Sequence, residues 1–273
     1  MLRSLYSGIS GMRGFQTKLD VIGNNIANVN TVGFKAGRVM FKDILSQTVA
    51  GSTPPTDNTG GVNPKQVGLG VSIGTIDTVH TPGSAMTTNV PTDLRIDGDG
   101  FFAVKTSADT DSIYLTRAGN FTLDSNRRLV NGDGMFVLSA EDGDVIQLDD
   151  TVTAFTIGQD GSLISIDAEG NATPLDVKIG VVKVPNPGGL EKLGGNLYRP
   201  TTTAMGEGIT EVTVGTAGAE GNGLIIAGQL EMSNVDLTSE FSEMIVAQRG
   251  FQANSRIITT SDEVLQEIVN LKR

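Results

Sequence analysis

Hydrophobic residues near the amino terminus recur every three or four positions, which is the spacing of one face of a helix. The pattern predicts a helix over about residues 4–27. Its apolar face consists of Leu2, Leu5, Ile9, Met12, Leu19, Ile22 and Ile26, with Phe15 beside it. Glycines lie inside this helix at Gly8, Gly11, Gly14 and Gly23, and each costs about 1 kcal/mol relative to alanine. We therefore expect the helix to form only on packing against another element, whose backbone the glycines allow to approach closely.

The carboxy-terminal residues repeat this spacing more strictly, in alternating steps of four and three. The set is Leu237, Phe241, Met244, Gln248, Phe251, Ser255, Ile258, Asp262, Leu265 and Val269. Its three polar members can fix the register and number of partner helices. With no proline between Leu237 and Leu271, the pattern predicts a helix about 52 Å long. A small domain cannot bury the apolar face of such a helix, so we expect it to pair with the amino-terminal helix and with other copies of the chain.

Between these helices the period of the hydrophobic pattern changes to two residues, which is typical of strands. The predicted strands include residues 94–96, 101–104, 120–123, 135–138, 155–157, 162–166, 177–184 and 211–214. Turns rich in aspartate, asparagine, proline and glycine separate them, at residues 97–100, 131–134, 142–143, 160–161 and 187–189. We expect an all-β body in the middle of the chain, with Phe101, Phe102 and Phe121 in its core.

The predicted fold class is therefore α+β. Residues 1–30 and 235–273 are predicted to form a discontinuous coiled-coil domain of paired terminal helices, and residues 71–234 an all-β outer domain. Residues 31–70 are expected to connect the two. Within that segment, the Pro-, Gly- and Thr-rich stretch at residues 50–61 is expected to be mobile or extended.

Charge is unevenly distributed along the chain. The formal net charge is −11, with +4 on residues 1–50, −12 on residues 51–230 and −3 on residues 231–273. We expect the oppositely charged ends to meet each other and the acidic middle to face water. Because nucleic-acid affinity comes largely from clustered Lys and Arg, this balance argues against nucleic acid as a partner.

The sequence also argues against membrane insertion and a cleaved leader. No run of about 18 apolar residues is present, which a membrane-spanning helix requires. The hydrophobic residues among positions 1–10 are periodic rather than gathered into the block of a signal peptide. If the protein leaves the cell, we expect another route to export it.

Candidate catalytic and metal-binding residues are few. His80 is the only histidine and the chain contains no cysteine, so neither a Ser-His-Asp site nor a zinc site is expected. The glycine-rich run at residues 68–74 fits a strand better than a dinucleotide-binding loop, because its third glycine comes one residue late. The Asp-Gly turns, like Asp149 and Asp150, match no calcium-binding loop, so hairpin turns are the favoured interpretation. We expect no enzyme activity, no cofactor and no metal site.

Long motifs at both ends and in the middle resemble those of the bacterial flagellar rod and hook proteins. They lie at residues 19–35, 93–102, 116–121, 233–237 and 244–256. The resemblance implies terminal helices paired as an inner α domain and a β domain outside it. It also implies a helical homopolymer that forms a tube around an export channel, supplied by the flagellar type III apparatus without a cleaved signal peptide. The implied partners are neighbouring flagellar axial proteins, the hook cap and the export apparatus, and the implied location is the basal body and the extracellular hook.

Two members of that family compete for the assignment. Residues 1–11 and 244–249 resemble the compact hook proteins of Gram-positive bacilli, whereas the short length resembles the distal rod protein. We favour the hook, which transmits motor torque to the filament, with the distal rod as the alternative. An ordered segment between Ala50 and Pro64 would stiffen the tube, and a loose one would let subunits slide.

We assign the helix stripes to assembly, within and between subunits. The predicted assembly residues are Leu5, Ile9, Met12, Leu19, Ile22, Ile26, Leu237, Phe241, Met244, Phe251, Ile258 and Leu265. Asn24, Asn25 and Asn28 are predicted to bridge the end of the first helix to the next segment, although ordinary helix termination explains each of them as well. The rival from another class is a secreted, calcium-stabilised β-rich adhesin, which a large melting shift in EDTA would favour.

Overall fold

The structure, a computed structural model, describes residues 2–56, 60–107, 112–141, 143–149, 152–167, 172–206, 212–219 and 221–271. The helices are α1 (Leu2–Ala27), α2 (Thr202–Met205) and α3 (Leu237–Leu271), with one 3-10 turn at Pro187–Gly189. The first ten strands are β1 (Gly37–Asp43), β2 (Ser46–Ala50), β3 (Lys65–Gly68), β4 (Val71–Thr78), β5 (Ala85–Thr87), β6 (Leu94–Asp97), β7 (Phe101–Lys105), β8 (Ile113–Thr116), β9 (Thr122–Leu123) and β10 (Leu129–Val130). The others are β11 (Phe136–Val137), β12 (Val152–Ile157), β13 (Ser162–Asp167), β14 (Ala172–Lys178), β15 (Gly180–Val182), β16 (Glu191–Gly194), β17 (Leu197–Arg199), β18 (Gly215–Thr216), β19 (Leu224–Ala227) and β20 (Gln229–Glu231).

The chain falls into two compact units, and its class is α+β, as predicted. The first unit comprises Met1–Ala27, Gly37–Thr78 and Asp236–Arg273, and the second comprises Asn28–Ala36 and Val79–Val235. The sequence predicted a connecting segment over residues 31–70, whereas the structure groups most of those residues with the terminal helices.

The first unit is built on an antiparallel pair of long helices. Lys18 of α1 forms a 3.0 Å ion pair with Glu243 near the start of α3, whereas Gly8 near the start of α1 faces Asn254 far along α3. Asp236 caps α3, because its side chain accepts a 2.9 Å hydrogen bond from the backbone N–H of Thr238. The two long helices that the stripes predicted are therefore present and paired.

Two antiparallel ribbons complete the first unit. Strand β1 pairs with β4 and carries a bulge between Met40 and Phe41, and β2 pairs with β3. Beyond β2 and β3, Thr53 and Val62 form a further bridge. The stretch predicted to be mobile or extended is thus partly paired, while residues 57–59 of it lie outside the described part of the chain.

The second unit is dominated by antiparallel sheets. A nine-stranded sheet runs in the order β16-β17-β8-β7-β11-β10-β9, with β15 pairing to β7 and β18. A three-stranded sheet, β12-β13-β14, and the pairs β19-β6 and β20-β5 complete it. Phe101, Phe102 and Phe121 are buried, as predicted, and the rings of Phe102 and Phe121 meet edge to face at 5.1 Å.

Several predicted strands differ in extent from those observed. Residues 120–123 and 135–138 contribute only the two-residue strands β9 and β11, and residues 177–184 are divided between β14 and β15. The strand predicted at 211–214 is wrong for residues 212–214, which belong to no strand, and Glu211 lies outside the described residues. The run at residues 68–74 is interrupted at Gly70, whose φ of +125° suits glycine rather than a regular strand residue. Asp142 of one predicted turn and Asp150 also lie outside the described residues.

Candidate assembly surface on the terminal helices

The contact face between α1 and α3 is built from small residues. A Cβ placed on Gly11 would lie 2.9 Å from Nδ2 of Asn254, and one placed on Gly250 would lie 2.6 Å from the ring of Phe15. Ala247 is fully buried. Each glycine receives a side chain of the other helix, Asn254 over Gly11 and the Phe15 ring over Gly250, so the two helices approach closely. Of the four glycines that weaken α1 in isolation, Gly8 and Gly11 face α3, Gly14 faces Phe41 of β1, and Gly23 has no atom within 4 Å of an added Cβ.

The structure places the predicted assembly residues of α1 beside this contact face rather than at its centre. Ile22 is buried, and the four residues at heptad spacing are half-buried: Leu5, Met12, Leu19 and Ile26. Ile9 is exposed. The hydrophobic stripe therefore marks the side of the helix that is partly covered, while glycines and Lys18 occupy the line of closest approach.

On α3 the predicted assembly residues divide into two groups. Met244, Ile258 and Leu265 are half-buried, whereas Leu237, Phe241 and Phe251 are exposed. The sequence analysis missed the buried Ala247 and the neighbouring Asn254, because their side chains are not strongly hydrophobic. Their spacing relative to Met244 and Ile258 places all four residues on one face of a helix, and this spacing could have identified them.

Asn25 joins three segments of the first unit. Its side chain is 2% exposed, donates to the carbonyl of Gly37 at 2.8 Å and accepts from the N–H of Gly37 at 2.9 Å. It also donates to Oε1 of Glu240 on α3 at 3.1 Å. Burial, the largest influence, raises the pKa of Glu240, and the hydrogen bond from Asn25 opposes that shift. These contacts are of the kind that the sequence analysis assigned to the asparagines.

The other two asparagines have different surroundings. Asn24 is exposed on α1. Asn28 belongs to the second unit, where its side-chain oxygen accepts a 3.1 Å hydrogen bond from the hydroxyl of Thr31. Asn25, through both backbone groups of Gly37, bridges α1 to the strand that follows.

A buried group of charges lies in the second unit, and the sequence analysis missed it. Glu231 accepts hydrogen bonds from Nζ of Lys35 at 2.6 Å, the N–H of Gly83 at 3.0 Å and Nη1 of Arg117 at 3.1 Å. Lys35 also donates to the carbonyl of Thr81 at 2.8 Å. The group ties together segments that are distant along the chain. Lys35 is the last residue of the motif at 19–35, and Arg117 lies within the motif at 116–121. Charged residues inside these motifs could have indicated the buried group.

The charges in this group shift one another's pKa values. Burial would raise the pKa of Glu231, but the positive charges of Arg117 and Lys35 outweigh it, so the pKa is lowered. Burial lowers the pKa of Lys35, and the attraction of Glu231 opposes that shift. Glu231 is thus held ionised, and an uncompensated buried charge would remain if it were removed.

His80 lies among aromatic rings in the same unit. Its ring is 5.6 Å from that of Tyr198 and 5.8 Å from that of Phe101. Burial, and then the positive charges of Lys35 and Arg117, lower its pKa from 6.5 to about 4. His80 is therefore neutral at pH 7.

Large apolar side chains remain exposed on both long helices. They are Tyr6, Ile9, Leu237, Phe241, Ile245, Val246, Phe251, Ile257, Val264, Ile268, Val269 and Leu271. Tyr6 is 71% exposed and Leu271 is 86% exposed. Exposed apolar surface of this extent marks interaction sites in soluble proteins.

Neither a metal cluster nor a membrane-spanning helix is found in the described part of the chain. Its His, Asp and Glu side chains form no group of three or more that is placed to hold a metal ion. None of its helices combines the length and the hydropathy that crossing a bilayer requires.

Three family models match the chain. "Flagella basal body rod protein" matches residues 5–35, "Flagellar hook protein FlgE/F/G D1 domain" matches residues 95–166, and "Flagellar basal body rod FlgEFG protein C-terminal" matches residues 226–271. The first and last of these models cover most of α1 and all of α3.

The similarity to individual proteins extends over the whole chain. The flagellar basal-body rod protein FlgG of Bacillus subtilis (strain 168) is 56% identical over 273 residues, covering 100% of each chain. FlgG of Borreliella burgdorferi is 37% identical over 277 residues, and the flagellar hook protein FlgE of the same organism is 30% identical over 450 residues, again with 100% of each chain covered.

Proposed function

The chain belongs to the bacterial flagellar rod and hook protein family, a family of structural proteins of the flagellum, and from this premise we propose that it is a self-assembling subunit of the flagellar axial tube. The observation that carries self-assembly is the exposed apolar surface of α1 and α3. Water contact with that surface is unfavourable by roughly 25 cal/mol per Å², so covering it with copies of the chain is favourable.

We favour the rod, rather than the hook, as the part of the axial tube that this chain forms. The similarity to FlgG covers 100% of both chains in 273 to 277 residues, whereas the alignments to two FlgE hook proteins extend over 450 and 471 residues. The hook relatives therefore carry sequence that has no counterpart here. The comparisons support the distal rod, which the sequence analysis held as the alternative, over the hook that it favoured.

We assign the predicted assembly residues to two kinds of contact. The buried and half-buried members stabilise the helix pair within a subunit: Leu5, Met12, Leu19, Ile22, Ile26, Met244, Ile258 and Leu265. The exposed members, Ile9, Leu237, Phe241 and Phe251, contact neighbouring subunits. This division follows from which side chains the pair itself covers.

The remaining parts of the proposal concern partners and chemistry. Neighbouring axial proteins would contact the ends of the polymer, and the flagellar export apparatus would deliver the chain to the basal body. We propose no catalytic activity and no cofactor, because the relatives are structural and His80, the one histidine, packs against the rings of Phe101 and Tyr198.

The position in the flagellum is tested in Bacillus subtilis cells from which FlgG has been removed. Expression of this chain should restore swimming and rods in isolated basal bodies. Electron micrographs of polymer from the purified chain should show straight tubes. Curved tubes that bend freely would favour the hook, and absence of any polymer together with failure to restore swimming would refute the assembly function.

The role of the exposed residues is tested with matched substitutions on α3. Phe241→Asp should abolish polymer formation, because it places a charge in an apolar contact between subunits. Gln252→Asp adds the same charge at an exposed polar position of the same helix and should leave assembly intact. Equal loss in both variants would show that added charge, rather than the apolar contact, is responsible.

The calcium-stabilised adhesin is tested by thermal unfolding with and without EDTA. We expect the two unfolding curves to coincide. A melting temperature lowered by many degrees in EDTA would instead support a bound metal ion.

A further inference from the structure

The carboxy-terminal end of α3 extends beyond the helix with which it pairs. Asn25 meets Glu240, Phe15 meets Gly250 and Gly11 meets Asn254, so paired positions add to about 265 in this antiparallel register. Continued to the first residue of α1, the register places Leu2 opposite about residue 263. The end of α3 therefore projects by about 12 Å without a helix beside it.

An exposed apolar stripe runs along this end of α3, and only its first residue, Ile257, touches α1, near Gly8. It consists of Ile257, Val264, Ile268 and Leu271, spaced in steps of seven, four and three, and all four are exposed. Ile257 is rotated by about 100° from Ile258, which lies against α1. The stripe is about 21 Å long.

A cleft of matching length lies between α1 and the β1–β4 ribbon. Its volume is about 580 Å³, and its lining includes Tyr6, Ile9, Arg13, Leu69, Val71 and Ile73. It follows α1 from Tyr6 to Thr17, which is about 17 Å. Tyr6, Ile9 and Leu69 are exposed, so the cleft presents apolar side chains that nothing in the first unit covers.

The α3 helix of the same molecule cannot occupy this cleft. Gly11 faces α3, whereas Arg13 is rotated by about 200° from it, on the opposite side of α1. The free end of α3 also points past the start of α1 rather than back along it. An α3 helix in the cleft must therefore come from a second molecule.

We propose that the stripe at the end of α3 docks in the cleft of a second copy of the chain, with Glu267 beside Arg13. This inference rests on the proposed assembly function and specifies one of its contacts. Repeated between successive copies, a contact that joins two different surfaces builds an open polymer rather than a closed dimer.

Charge complementarity supports this occupant. Helix α1 carries three basic residues and one acidic residue, whereas residues 262–271 of α3 carry three carboxylates and no basic residue. Glu267 is the acidic residue that lies closest to the stripe, three positions from Val264 and four from Leu271. Within the described part of the chain, neither Arg13 nor Glu267 forms a salt bridge.

Charge reversal and its rescue test the contact in the full-length chain. Arg13→Glu and Glu267→Arg should each raise the concentration needed for polymer formation by about tenfold, because each places like charges together. The combined variant should return that concentration to near the wild-type value. Glu263→Arg, a reversal one turn away and further from the stripe, is the matched control and should assemble like the wild type.

Cross-linking tests the same contact independently, because the chain has no cysteine of its own. Ile9 lies four residues from Arg13 and Val264 lies three residues from Glu267, so the proposed contact brings these two positions together when the docked helices run parallel. Ile9→Cys and Val264→Cys variants, mixed under polymer-forming conditions and oxidised, should give a disulfide-linked dimer of the two variants. Gln266→Cys replaces Val264→Cys as the control, since Gln266 lies about 200° around α3 from Val264.

The outcomes separate this inference from the function on which it rests. Polymers that form normally with Arg13→Glu, or that give no cross-link between Ile9→Cys and Val264→Cys, would overturn the docking contact and leave the assembly function standing. A wild-type chain that forms no polymer would refute both. Rescue by the combined variant together with the specific cross-link would establish the contact.

Discussion

Close packing of two backbones can require one particular residue in a motif, even where no side chain makes a polar contact. Gly119 lies in the motif at residues 116–121, and its carbonyl accepts a 2.9 Å hydrogen bond from the N–H of Leu94. A Cβ at this position would overlap the carbonyl oxygen of Leu94. The close approach of two backbones therefore requires glycine here, which the sequence alone does not reveal.

Gly119→Ala should consequently lower the free energy of unfolding by about 2–4 kcal/mol, because the overlapping atom belongs to the backbone and cannot rotate away. Urea unfolding followed by circular dichroism measures the change. Gly132→Ala is the control, since the nearest atom to its added Cβ is 3.7 Å away. An unchanged midpoint for Gly119→Ala would contradict the close approach.

A second residue-scale effect concerns pH. Because the pKa of His80 is about 4 in the folded chain and 6.5 without burial, the unfolded chain binds more protons between these values. Stability contributed by neutral His80 is therefore complete above about pH 6.5 and is lost as the pH falls towards 4. His80→Gln should flatten the fall in unfolding free energy across this window. A curve as steep as that of the wild type would show that other groups cause it, since the chain has no second histidine.

At the scale of elements, the paired helices depend on contacts at their ends as well as along their faces. Asn25→Ala should destabilise the first unit by about 1–2 kcal/mol, because it removes hydrogen bonds to both backbone groups of Gly37 and leaves them without that partner. The helical circular dichroism signal at increasing urea concentration reports this loss. Gln16→Ala, an exposed position of the same helix, should change it little.

The helices and strands show which parts of the fold could be predicted from the sequence. Both long helices were predicted within two residues at each end, because a period near 3.6 over many turns has few alternative interpretations. Short strands such as β16 and β18 were missed, since two to four residues carry too little periodicity. The ribbon β2–β3 was predicted only as part of a connecting segment over residues 31–70, because the proline, glycine and threonine residues at 50–61 suit a linker. Pairing between strands that lie apart in the sequence is a tertiary effect.

The assembly surface on the terminal helices was predicted only in part, because hydrophobic spacing shows which side of a helix is covered but not where two helices come closest. A hydrophobic stripe indicates which side of a helix is covered, and Ile22 and the half-buried residues around it lie on that side. It did not locate the line of closest approach, where Gly11, Ala247 and Asn254 lie, because close packing favours small residues rather than hydrophobic ones. The exposure of Phe241 and Phe251 shows that the same stripe also contains residues that the single chain leaves uncovered.

For the whole molecule, the two compact units differ in what stabilises them. The second unit contains an extensive hydrophobic core, which includes Phe102, Phe121 and Ile225, as well as the buried charges around Glu231. The first unit relies on two long helices whose apolar residues are partly exposed. Folding of the second unit should therefore be independent of polymer formation, and folding of the first should be strengthened by it.

Removal of residues 1–27 tests this division, because it deletes α1 and retains Lys35 with the rest of the second unit. The truncated chain should keep a cooperative unfolding transition of its β-rich unit and remain monomeric at concentrations where the full chain assembles. Analytical ultracentrifugation measures the mass, and amide hydrogen exchange should show α3 unprotected while β7 and β8 stay protected. Filaments formed by the truncated chain would contradict the assembly role of α1, and loss of protection in β7 would contradict the independence of the second unit.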